Sequence, residues 1–173
     1  MGGALTFGAG AAGQAIFMDG GTNEIVHPES VDVVLLLDES SSMELSQADD
    51  PRRETALACV ETLDEDIRLK VIGFAGIARS YSDFLVADEE GKQQMKQRIQ
   101  EVDLTGSTNY DAALSVAVES LNADARSESG KAIVFITDDV GEISVETEEM
   151  LKEAGYHLFH VRIGEQRNAT EEL

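Results

Sequence analysis

Residues 31–43 read VDVVLLLDESSSM. The first seven are almost all aliphatic, the pattern of a strand covered on both faces, as in a parallel sheet. The run leads straight into Asp38, followed by the hydroxyls of Ser40 and Ser42. In open α/β sheets, ligands sit in the crevice outside the carboxyl ends of the strands, which is where this stretch delivers its oxygens.

Three more apolar runs follow: IRLKVIGF (67–74), KAIVFIT (131–137) and YHLFHVRIG (156–164). Helical spacing fills the intervals: Ala56, Cys59, Val60 and Leu63; Met95, Ile99 and Val102; Ala113, Val116, Ala117 and Leu121; and Met150, Leu151 and Ala154. Asp50 before Pro51 is the pattern of an N-cap with proline in the first turn. One link is too short for a crossover helix: IRLKVIGF is followed almost at once by ARSYSDFLV (78–86), which predicts a hairpin. The expected fold is therefore α/β: an open, doubly wound, Rossmann-like sheet, mostly parallel with one antiparallel edge strand, and helices on both faces. Residues 31–173 form the expected domain, and residues 1–30 read as an atypical N-terminal segment or extra edge element.

Composition removes several functions. The chain has 173 residues, of which 42% are hydrophobic, enough for one sizeable core. Its net charge of −21, from 34 acidic and 13 basic residues, opposes binding to nucleic acid through phosphates. No apolar run is long enough to span a membrane, and the stretch ALTFGAGAAGQAIF (4–17) lacks the basic flank of a signal peptide. The single cysteine, Cys59, lies beside Ala56 and Val60 as an inert thiol on a helix face. One thiol is compatible with the cytosol or the exterior. The sequon at Asn168 has meaning only in a eukaryotic secretory pathway.

Three segments converge on the crevice: Asp38, Ser40 and Ser42 after the first strand; TGSTNYDAAL (105–114), with Thr108 before a helix; and FITDD (135–139), with Asp138 at a strand end and Asp139 after it. Hydroxyls and carboxylates are hard ligands, suited to Mg²⁺, Mn²⁺ or Ca²⁺. Zinc is disfavoured, because His27, His157 and His160 form no ligand-like grouping with Cys59. Few carboxylates beside neutral hydroxyls leave an ion electrophilic and ready to exchange a water for an outside carboxylate. Taken singly, each segment has a plainer reading: a capped turn at Ser40 to Ser42, helix caps at Thr108 and Asn109, and turn residues at Asp138 and Asp139.

VVLLLDESSSM, TGSTNYDAAL and IVFITDD together resemble the three segments of the metal-ion-dependent adhesion site of von Willebrand factor type A domains, over about residues 31–164. The resemblance implies that Ser40, Ser42 and Thr108 supply hydroxyls to the metal, with Asp38 and Asp138 contributing directly or through water. It implies a protein partner that completes the coordination with an Asp or Glu, and an adhesion or interaction role without catalysis. Bacterial members are often surface or membrane-anchored, which points to an extracellular placement. Two departures stand out. Ser41 and Asp139 occupy positions where the family commonly has glycine, and Asp139, with Glu39, adds negative charge that strengthens cation binding, weakens the pull on an acidic partner and invites self-blocking of the site. The family also usually continues beyond the segment resembling NATEEL, so either the sequence is cut short there or the N-terminal segment covers that edge.

The competing classes are a metal-dependent phosphoryl-transfer enzyme using an aspartyl nucleophile and a structural subunit of a larger assembly. Against the enzyme, Ser40 stands where a second aspartate would serve, and Lys131 precedes its strand and leaves no lysine at a strand end to clamp phosphate. SESGKAIVF (127–135) lacks the upstream glycine and following hydroxyl of a phosphate-binding loop.

Overall fold

A computed structural model describes residues 28–40, 50–103, 106–137 and 142–163. Ten elements follow in order: β1 (Val31–Asp38), α1 (Pro51–Glu61), β2 (Ile67–Phe74), β3 (Ala78–Ser80), β4 (Leu85–Val86), α2 (Glu89–Glu101), α3 (Tyr110–Asp124), β5 (Gly130–Thr137), α4 (Val145–Ala154) and β6 (His157–Arg162). They build one six-stranded sheet in the order β3-β2-β1-β5-β6, with β4 also paired to β2. β1 pairs in parallel with β2 and with β5, and β5 in parallel with β6.

The continuous apolar runs are explained by cover on both faces. On one face Val33, Leu35 and Leu37 pack with Ala56 and Val60 of α1 and Met95 and Ile99 of α2. On the other, Val34 and Leu36 pack with Ala113, Ala117 and Leu121 of α3, and α4 adds Met150 and Leu151. Strand alternation alone divides β1 between two cores. Because β1 lies between β2 and β5, the chain leaves it toward one side and returns on the other, and the crevice at the carboxyl end of β1 is the switch point of the sheet.

The expected hairpin is present, but its second arm is broken into β3 and β4, both antiparallel to β2. The break has a local cause. The Val71 amide donates to the Ser82 side-chain Oγ at 3.0 Å where a strand backbone would otherwise accept. Ser80 Oγ then bonds the Ser82 carbonyl at 2.9 Å, bending the chain between the two pieces. Lys131, expected to precede its strand, is instead the second residue of β5, still at the amino end.

Helix starts follow the sequence closely. Asp50 caps α1, accepting from the Arg52 and Arg53 amides at 3.1 and 3.2 Å, with Pro51 in the first turn. Asp88 caps α2 through the Gly91 amide at 2.7 Å. Among the described residues no helix is long and apolar enough to cross a membrane.

Candidate functional site

Asp38 is the last residue of β1 and is 1% exposed. Its Oδ1 accepts the Ser40 amide at 2.7 Å, an Asx-type turn that folds the chain back as it leaves the strand. Its Oδ2 accepts the Thr137 hydroxyl from the end of the neighbouring β5, also at 2.7 Å. Its carbonyl accepts from the guanidinium of Arg52, a buried arginine of α1 that also meets the Asp50 carboxylate at 3.2 Å. Burial alone would raise the Asp50 carboxyl, but Arg52 and Arg53 together outweigh it and hold Asp50 below the usual range.

The second segment is brought alongside by the backbone. The Asn109 amide donates to the Ala75 carbonyl just past β2, at 2.7 Å. Asn109, not Thr108, caps α3, with its Oδ1 accepting the Ala112 amide at 3.0 Å. Thr108 thus takes no part in the cap and stays exposed beside it. Tyr110 in the first turn packs on Phe74 and Phe135, with ring centroids 5.9 and 5.4 Å away, and pins the helix start to the ends of β2 and β5.

Asp38, Ser40 and Thr108 are therefore gathered at the carboxyl ends of β1 and β2. Ser42, Asp138 and the neighbouring Asp139 lie outside the described residues. The approaches to the third segment are visible on both sides: Thr137 ends β5, and on the far side Asp111 of α3 accepts the Ser144 amide at 2.9 Å at the start of α4. Hydrogen bonds from Thr147 and Ser144 lower the Asp111 carboxyl below its ordinary range.

Three contributors escaped the sequence reading. They are Arg52, Thr137 and Asp111, to which the sequence motifs assign no role. Thr137 had a signal in its place directly before Asp138, where its side chain meets the neighbouring strand end.

Glu39 lies between the two described first-segment ligand candidates and is 3% exposed. Its Oε1 lies so close over Gly73 that a Cβ built there would be 1.7 Å away. Burial pushes its carboxyl above the usual glutamate range against the opposing pull of Tyr81 and Arg79. Tyr81 is near, yet neither Glu39 Oε1 nor the Tyr81 hydroxyl completes a hydrogen bond of good geometry. Beside it opens a cleft of about 320 Å³ lined by Glu39, Gly76, Ile77, Arg79 and Ser107, among others.

Among the described residues no three His, Cys, Asp or Glu side chains cluster as a metal site. The gathered donors are one carboxylate and hydroxyls, the composition expected of a site for a hard cation.

Comparisons with known proteins bear on the whole arrangement. Among solved structures, BatB from Bacteroides thetaiotaomicron, described as a conserved hypothetical protein, is similar with a TM-score of 0.63 and 26% identity over 78% of this chain and 67% of that one. A von Willebrand factor type A protein from Catenulispora acidiphila gives a TM-score of 0.62 at 20% identity, covering 82% of this chain but only 34% of the other. The vWF domain of the type V pili tip protein Mfa5 from Porphyromonas gingivalis gives 0.52 at 20% identity, over 69% of this chain and 43% of that one. The last two likenesses show the fold alone, and this chain spans well under two thirds of either protein. No curated protein matches. The model of the von Willebrand factor type A domain matches residues 32–173, and the chain belongs to that family, whose members often mediate protein interaction and adhesion.

Proposed function

We propose that this domain is a divalent-cation-dependent protein-binding module, with no catalytic role, that engages an acidic residue of its partner through a bound Mg²⁺, or a related ion such as Mn²⁺ or Ca²⁺. One observation carries the reading. Asp38 is a buried carboxylate at the switch point of the sheet whose oxygens, among the described residues, are oriented by neutral donors, the Ser40 amide and the Thr137 hydroxyl. No ion pair to a Lys, Arg or His reaches it among the described residues. Buried charges are paired or coordinate metals.

The other buried aspartate of the same strand makes the contrast. Asp32, at the amino end of β1, meets two guanidinium groups. The Asp38 carboxylate, six residues on, meets none among the described residues. An ion held by Asp38, Ser40, Ser42, Thr108 and Asp138 would supply the missing positive charge. With so few anionic ligands it would keep enough charge to attract an outside carboxylate. Arg52 fixes the Asp38 carbonyl, Thr137 fixes its carboxylate, and Asn109 holds the Thr108 loop to the end of β2, so the protein's share is orientation of the donors.

Calorimetric titration of Mg²⁺ and Mn²⁺ into metal-stripped protein tests the reading. One-site binding that is lost in Asp38→Ala is the expected result. A wild-type protein that takes up neither ion overturns it.

A further inference from the structure

Arg52 joins the two ends of the segment that carries the first ligand candidates. Residues 39–49, Ser40 and Ser42 among them, connect Asp38 at the end of β1 to Asp50 at the cap of α1. One guanidinium meets both ends: Nη1 donates to the Asp38 carbonyl, while Nε and Nη2 donate to the Asp50 carboxylate at 3.2 and 3.3 Å. The Glu39 amide, donating to the Phe74 carbonyl at 2.6 Å, fixes the same exit from β1 to the end of β2. Linking the ends of a short segment restricts every residue within it, Ser40 and Ser42 included.

The same contact sets a positive charge against the backbone of the residue proposed to hold a cation. Arg52 is 2% exposed, so salt and water screen it little. Its field reaches the ligand segment: burial raises the Glu39 carboxyl, and Arg52 is among the charges that pull against it. Left alone, such a charge would repel an incoming ion. Asp50 is placed to cancel it. Its two roles separate chemically, because as N-cap it needs only an oxygen for the Arg52 and Arg53 amides, which asparagine or serine supplies as well. As counter-charge it must be an ionised carboxylate.

We infer that Arg52 and Asp50 act as a pair on the candidate ion site: Arg52 positions the first ligand segment by holding both its ends, and Asp50 neutralises the guanidinium so that a cation can enter beside it. The inference rests on the cation-dependent reading above and deepens it, giving Asp50 a charge-dependent part in ion affinity and ion selectivity in addition to capping α1.

Mg²⁺ and Tb³⁺ are titrated by calorimetry into metal-stripped wild type, Asp50→Asn, Asp50→Ser and Arg52→Met/Asp50→Asn, counting only the binding that Asp38→Ala abolishes. The two single variants keep the cap and leave the guanidinium uncancelled. Mg²⁺ is expected to bind them about tenfold more weakly, and Tb³⁺, with half again the charge, about thirtyfold more weakly. In the double variant the charge is gone but the ends of the segment are no longer joined. Mg²⁺, which demands near-ideal octahedral geometry, is then expected to lose more than the larger Tb³⁺. Should an unpaired buried arginine unfold the single variants, Arg52→Met compared with the double variant gives the same information with the sign reversed: its lone carboxylate should raise the ratio of Tb³⁺ to Mg²⁺ affinity about threefold. Single variants that lose nothing, or that lose Mg²⁺ at least as much as Tb³⁺, overturn the part given to Asp50, as does an unchanged ratio in the substitute comparison. A double variant with wild-type affinities overturns the part given to Arg52. Both results leave the cation reading standing, whereas a wild type that binds neither ion overturns that reading and this inference together.

Discussion

Arg126 holds Asp32 from the far side of α3, with its own amide on Oδ2 at 2.6 Å and its guanidinium on Oδ1 at 2.7 Å. The same guanidinium reaches the carbonyls of Val31 and Asp66, tying the starts of β1 and β2 together. Arg68 adds two bonds and Ser129 one, so a fully buried carboxylate accepts six. Burial alone would raise its pKa, but Arg68, Arg126 and Ser129 outweigh it and hold Asp32 well below the usual carboxylate range.

Asp32→Asn is accordingly expected to lower stability at neutral pH by about 2–3 kcal/mol, toward the low side for a broken buried pair because Arg126 keeps contact with water. A carboxyl whose folded pKa is depressed contributes its stability above the unfolded pKa and loses it as pH falls through the folded one. The gap between wild type and variant should therefore be full at pH 7 and narrow progressively below about pH 4. Urea unfolding at several pH values measures it, and a gap that widens on acidification contradicts the assignment.

Thr137→Val removes the hydroxyl that orients Asp38 while keeping the shape of a strand residue. Loss of such an outer partner is expected to weaken Mg²⁺ about tenfold in calorimetry, with a stability loss of only about 1 kcal/mol. Unchanged Mg²⁺ affinity would mean that the Thr137 bond merely satisfies a buried oxygen.

Gly73→Ala would place a methyl group 1.7 Å from Glu39 Oε1 and 2.7 Å from the Tyr81 ring. Overpacking of this kind is expected to cost about 1–3 kcal/mol. In a Glu39→Ala background the main obstacle is gone, so the same substitution should cost clearly less. Equal costs in the two backgrounds would place the strain elsewhere, and a double-mutant cycle in urea reads the difference.

Burial pushes the Cys59 thiol up to about 11. At pH 8 only about a thousandth of it is thiolate, so its reaction with an aromatic disulfide reagent should be about a hundredfold slower than in unfolded protein. Rapid labelling of the native chain would show that α1 opens readily.

The parallel direction of the central strands was legible because strands covered on both faces are written as unbroken apolar runs, as in VVLLL and AIVFI. The edge was legible only in outline. Ser82 Oγ takes the place of a backbone acceptor for Val71, and nothing in SYSDF distinguishes such a serine from a turn residue. Asp32 was readable in principle, since a charge inside a doubly covered strand demands a partner, but Arg68 and Arg126 are remote in sequence and only the fold brings them to it. Of the site, Asp38, Ser40 and Thr108 were named from pattern. Arg52 was not, because buried arginines are rare and its contact is to a carbonyl rather than to any recognisable motif.

Asp32 and Asp38 share one face of β1 and are six residues apart, about 20 Å along the strand. The end that is locked by arginines is thus remote from the end that faces the candidate ion. Stripping the cation would leave the lock intact, so the domain would keep its shape when idle. On the proposed cation-dependent reading, ion supply governs engagement without exposing the chain to unfolding or proteolysis, and each release leaves a domain ready for another capture.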